Sequence, residues 1–108
     1  MDKKSLTALA RQQLKLATAA SSGRSSQTVY GGHARSLRQT LVALTAGQGM
    51  AEHVSPGEAT LLVLDGKLNL MCGDDSWKGS TGDFLVLPAE RHSVDAIEDV
   101  VFLLTVAM

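Results

Sequence analysis

Residues 51–66, AEHVSPGEATLLVLDG, decide how the rest of the chain is read. A short strand-like run ends at Pro56-Gly57, a pair that interrupts a sheet ladder and favours a turn. The run ATLLVL follows, with the aliphatic composition of a buried strand. It stops at Asp65-Gly66, a dipeptide strongly favoured in two-residue hairpin turns, just before a further apolar run, KLNLMC. Strand, turn, strand, turn is the pattern of an antiparallel sheet.

The same pattern continues outward. QTVY, LRQTLVAL, MAEHV, ATLLVL, KLNLMC, FLVLP, RHSVDA and VVFLLTVA read as short strands. They are separated by GGHA, TAGQG, SPGE, DG, GDDSWKGSTGD, AE and IEDV. Many short strands with Gly, Pro and Asp punctuation predict an all-β sandwich or barrel over residues 27–108. FLVL and VVFLLTV are apolar at nearly every position, whereas a strand with one wet face alternates. Both of their faces are therefore expected to be covered, one by the N-terminal segment and another by a second copy of the chain. A homodimer is the expected assembly.

The N-terminal segment differs in character. SLTALARQQLKLATAA reads as one helix capped by Ser5, with Leu6, Leu9, Gln13, Leu16 and Ala20 along one side and Ala10 and Leu14 widening it. Gly23, within SSGRSS, ends it. Residues 1–26 are thus expected to form a helix and a Ser-rich linker.

The 108 residues hold ten Lys and Arg against eleven Asp and Glu. That balance gives no field for nucleic acid, and one helix pattern does not make a helix-turn-helix. No apolar run is long enough to cross a bilayer and no signal core follows Lys3 and Lys4. The single Cys72 excludes an internal disulfide and suits a reducing compartment, so a cytoplasmic setting is expected.

Two groups of residues carry a family resemblance, which covers roughly residues 37–106. Gly47, His53-Val54-Ser55-Pro56-Gly57-Glu58-Ala59 and Gly66 resemble the first motif of the small single-domain cupins. Gly82, Pro88 and His92, in GDFLVLPAERHSV, resemble the second. The resemblance implies a cupin-type double-stranded β-helix, a jelly-roll barrel, here with an N-terminal α-helix. It also implies a divalent transition metal as cofactor, with His53 and His92 as the first and last ligands. Ser55 stands where a second histidine would be, and Ala59 where a glutamate would be. Glu58 reaches the interior only if a bulge shifts the register.

Two imidazoles alone bind a first-row metal weakly, and Glu58, Glu90 and His33 are the residues that could complete a set. The reading preferred over a metal is that His53 and His92 face each other across the barrel mouth, satisfied by hydrogen bonds or water. A third reading gives them a direct role in proton transfer. The inward set read from the alternation is Ala51, His53, Ser55, Ala59, Leu61 and Val63, with His92 and Val94. The pocket residues are accordingly His53, Ser55, Ala59, Leu61, His92 and Val94, and the partner they suit is a small-molecule ligand. The functions that follow are small-molecule binding, a metal-dependent oxygenase or isomerase using His53 and His92, or the sensor component of a regulatory system. Arg35 and Arg38 read as strand-face charges unless that strand edges the pocket. Trp77 reads as a packing or interface residue and Cys72 as a buried inert thiol.

Overall fold

A computed structural model describes residues 2–54 and 57–107, with the main chain alone described at His53. Helix α1 (Leu6–Ala19) precedes strands β1 (Arg24–Tyr30), β2 (Leu37–Leu44), β3 (Gly49–His53), β4 (Glu58–Asp65) and β5 (Lys67–Cys72). Strands β6 (Asp75–Ser80), β7 (Phe84–Val86), β8 (His92–Ala96) and β9 (Val100–Ala107) follow. They form two antiparallel sheets, ordered β1-β2-β9-β4-β7 and β3-β8-β5-β6. The expected all-β jelly roll with an N-terminal helix is the fold adopted.

Alternation along β4 sets the inner face: Ala59, Leu61 and Val63 are buried, while Thr60, Leu62 and Leu64 are half-buried. Register carries that face across β9 to β2, through Leu61↔Leu104↔Thr40 and Val63↔Phe102↔Val42. Leu68, Leu70, Val94 and Ala96 of the other sheet complete the core. Each fully buried Leu or Phe there contributes about 1.5–3 kcal/mol of transfer free energy.

Helix α1 closes the outer face of the larger sheet. Ser5 caps it, its hydroxyl accepting from the Ala8 amide at 3.2 Å. The buried line is Ala10, Gln13 and Ala17, which meet Leu41, Ala43 and Val101, while Leu16 is 50% exposed. Of the stripe expected through Leu6, Leu9, Gln13, Leu16 and Ala20 with Ala10 and Leu14, only Leu16 is out of place, and Ala17 takes the buried position instead. Small side chains at the contact let the helix lie close to the sheet, and the leucines Leu9 and Leu14 pack on its flanks. Gln13 is buried because β1 satisfies it: its amide donates to Gln27 at 3.0 Å and its oxygen accepts from Ser25.

Three expectations about elements are corrected. Asp65-Gly66 is not a hairpin turn, since β4 and β5 lie in different sheets. It is the corner at which the chain crosses between them. Gly66 has φ +99°, and a Cβ there would collide with the Asp99 carbonyl oxygen, so close approach and dihedral both demand glycine. The tight hairpin is β5–β6, where Cys72 pairs with Asp75 across Gly73 and Asp74. Its second strand falls in GDDSWKGSTGD, expected to be a loop. As the edge of its sheet, β6 tolerates a polar sequence that an interior strand would not. Lastly, β1 begins at Arg24 rather than Gln27, because Gly23 at φ +67° turns the chain directly from helix into strand. Among the described residues no helix is long and apolar enough to cross a membrane.

Candidate functional site

The two motif histidines meet through a bulge. Met50 pairs with Val94, and the next recorded pair is His53 with His92, so β3 takes three steps where β8 takes two. Met50 packs on the core, whereas Ala51 and Glu52 are exposed. Plain alternation back from His53 puts Ala51 inside; the extra residue gives that place to Met50. The His92 side chain is 1% exposed and its Nδ1 lies 2.9 Å from the Glu90 carbonyl oxygen. A carbonyl can only accept, so Nδ1 carries a proton and donates it there.

Cys72 stands one step beyond the Met71↔Ser93 pair of β5 and β8. Its thiol donates to Glu90 Oε2 at 3.5 Å. Burial pushes that thiol above its ordinary pKa, and the carboxylates of Glu90, Asp75 and Glu52 push in the same direction. A thiol so placed stays protonated and is a weak nucleophile, in keeping with the inert role expected for it.

Among the described residues no three His, Cys, Asp or Glu side chains converge to hold a metal. Ala59 is buried with no donor atom at the position where the resemblance implies a glutamate. The ladder from Glu58↔Ala107 to Val63↔Phe102 is unbroken, so the register shift that would bring Glu58 inside does not occur, and Glu58 is exposed. Ser55 lies outside the described residues. His33 and Arg35 are exposed in the β1–β2 connection. The described side chains, which do not include His53 and Ser55, do not fit a metal centre.

Of the expected pocket residues, Ala59, Leu61, His92 and Val94 are all buried, and the three apolar ones belong to the packed core. Open space lies beside them, at the seam where the sheet edges β1 and β3 face each other. A cavity of ≈ 370 Å³ is lined there by Arg24, Ser26, Thr40, Val42, Leu44, Met50 and Leu104, with Ser25 at its margin. Ser26 pairs with Val42 and Arg24 with Leu44, which puts both on the cavity side of β1, where they are exposed at the sheet edge. The Arg24 guanidinium donates to the Gly49 carbonyl at 3.3 Å, tying the two sheet edges together.

Sequence reasoning missed these residues because β1 and β2 lie largely outside the family motifs. The one signal was the alternation Arg38, Thr40, Val42, Leu44 within LRQTLVAL. Grooves of ≈ 350 and ≈ 480 Å³ also flank α1, on the outer surface. They contain both cations and carboxylates, Arg11 and Lys15 with Asp65 and Asp99, so their charge is already balanced.

Among solved structures, a conserved protein of unknown function from Streptococcus pyogenes matches at a TM-score of 0.73 and 27% identity, over 82% of this chain and 76% of that one. A cupin superfamily protein from Desulfitobacterium hafniense DCB-2 matches at 0.72 and 17% identity, over 79% and 77% of the two chains. An RmlC-like cupin from Desulfovibrio desulfuricans matches at 0.68 and 26%, over 78% and 81%. The chain folds as a small cupin domain. No protein-family model and no curated protein matches the sequence. The cupin likeness therefore carries the architecture, and the chemistry has to come from the cavity itself.

Proposed function

We propose that this cupin binds a small molecule in the space between its sheets. The cavity of ≈ 370 Å³ at the β1–β3 seam carries the reading. Its walls of Val42, Leu44, Met50 and Leu104 are apolar, and the Ser26 and Thr40 hydroxyls and the Arg24 guanidinium supply a few polar groups. That mixture and that volume are usual for a site taking a small organic molecule. Leu104→Trp fills the space from the β9 side. The expected result is a set of fragments that shift the amide resonances of residues 40–44 in the parent and not in Leu104→Trp, with the circular dichroism of the fold retained. Fragments that shift only the α1 groove would overturn the reading.

A second copy of the chain is the partner we infer for the opposite seam. Phe84 is 64% exposed and Val86 72%, and Trp77, at 47%, lies beside them. With Leu70 and Pro88 they line an apolar groove of ≈ 360 Å³ where β6 and β7 form the two sheet edges. Because β7 is an unpaired edge, the same three-residue strand of a second molecule can meet it about a twofold axis and cover both.

A further inference from the structure

We propose that two copies of the chain join along β7 in one register, Phe84 opposite Val86 of the partner subunit and Leu85 opposite itself on the twofold axis. This rests on the second-copy partner inferred above. The course of the β7 main chain selects the register. Antiparallel pairs alternate between those that exchange hydrogen bonds and those that do not. β4 and β7 pair Thr60 with Val86, Leu61 with Leu85 and Leu62 with Phe84. On the same ladder the Val63 amide donates to the Asp83 carbonyl at 2.9 Å, and the Leu87 amide to the Ala59 carbonyl at 3.0 Å. Ala59–Leu87 and Val63–Asp83 are thus bonded positions, and Leu61–Leu85, midway between them, is another. Phe84 and Val86 fall on the alternate positions, so their N–H and C=O groups point away from β4. Among the described residues no strand lies on that side of β7 to receive them.

Two residues with free main-chain groups, separated by one without, are self-complementary. With Phe84 opposite the partner's Val86, symmetry makes the same pair again on the other side of the axis. Both donors and both acceptors of each edge are then used. An axis through Phe84 or through Val86 joins that residue to its own copy and leaves the other one's groups free. A shift of one residue would oppose the outer face of one copy to the inner face of the other.

The side chains agree with that register. It sets exposed Phe84 against exposed Val86 twice, an aromatic on a β-branched residue, which is a favourable cross-strand pair. Leu85 packs toward the core and meets its own copy beside Leu70, Trp77 and Pro88. No charged residue lines that groove, so the contact desolvates no ion there. Trp77, Phe84 and Val86 expose roughly 300 Å² of side chain per copy, about half of what a small specific interface takes from each partner. A micromolar dimer is expected rather than a tighter one. Its two β1 edges, with their cavities, lie at the far ends of one continuous sheet.

The test is disulfide trapping of the full chain in a Cys72→Ser background, where the introduced thiol is alone. Phe84→Cys and Val86→Cys, both at exposed sites, are oxidised separately and as an equal mixture, and covalent dimer is read on non-reducing gels and by intact mass. In the mixture the register sets the two thiols on directly opposite residues, with Cα atoms about 5.5 Å apart. In either variant alone they are diagonal, about 7–8 Å apart and past the usual disulfide reach. The mixture is expected to trap severalfold more dimer than either variant alone, all of it the mixed species. Equal trapping by one variant alone overturns the register. No trapping in the mixture, while light scattering shows the parent to be a dimer, overturns the register and leaves the second-copy reading standing. A parent that is monomeric at tens of micromolar overturns both. If an outer variant does not fold, Leu85→Cys replaces it, since on the axis its Cα atoms meet at about 4.5 Å; trapping supports the register and its failure overturns it.

Discussion

His92 holds its place by burial and by hydrogen bonding that includes Nδ1–H to the Glu90 carbonyl. His92→Ala leaves a void and an unpaired carbonyl, and is expected to lower stability by about 2–4 kcal/mol, read from urea midpoints. The neighbouring Cys72 gives a pH-dependent signal. Its folded thiol holds the proton more tightly than an unfolded one. Stability is thus unaffected below the ordinary thiol pKa and falls as the pH rises past it. The midpoint of the pH profile for iodoacetamide alkylation is expected to lie above that of the denatured chain, and Glu90→Gln is expected to lower it. An unchanged midpoint in the variant would remove Glu90 from that account. His92 and Ala59 were legible in the sequence because motif spacing marks them. The cavity side of β2 was not: LRQTLVAL alternates on both faces, Leu37, Gln39, Leu41, Ala43 against Arg38, Thr40, Val42, Leu44. Only the position of α1 decides which of these faces is the outside.

Elements were read well where apolar pattern is strong, as in α1, β2, β4 and β9. They were read poorly where tertiary context sets the role of a polar stretch. β6 is a strand because β5 offers it a ladder, and nothing in DSWKGS announces that. Asp65-Gly66 carries the local chemistry of a hairpin, yet Gly66 is kept by the approach of Asp99 from a distant turn. Gly66→Ala is accordingly expected to destabilise the fold by at least about 2 kcal/mol, more than a surface turn glycine would. Under α1, Ala17 is fully buried against the sheet. Ala17→Leu should force helix and sheet apart and lower stability by about 1–3 kcal/mol, whereas Leu16→Ala, at an exposed position, should stay within about 0.5 kcal/mol. Thermal melts of the pair distinguish this stripe from the one read off the sequence.

For the whole molecule, the continuous apolar character of FLVL and VVFLLTV has two different origins. On β9 it reflects enclosure: Phe102 faces the core and Val101 faces α1. On β7 it leaves Phe84 and Val86 in the open. Phe84→Ser with Val86→Ser is expected to convert a dimer into a monomer with an unchanged circular dichroism spectrum, as measured by light scattering. A parent protein that is already monomeric at tens of micromolar would defeat the inferred assembly. Removing residues 1–22 uncovers Leu41, Ala43 and Val101 and is expected to cause aggregation at concentrations the full chain tolerates. The strand order has a consequence in time. β9, the last strand of the barrel, lies in the middle of the larger sheet, between β2 and β4. Until residues 100–107 leave the ribosome, β2 and β4 have no common neighbour: the smaller sheet and the pairs β1–β2 and β4–β7 can form, but the larger sheet stays split. Folding of this barrel is therefore held back until translation has passed its final strand, and the half-made chain shows its apolar faces to the cell for as long as that takes.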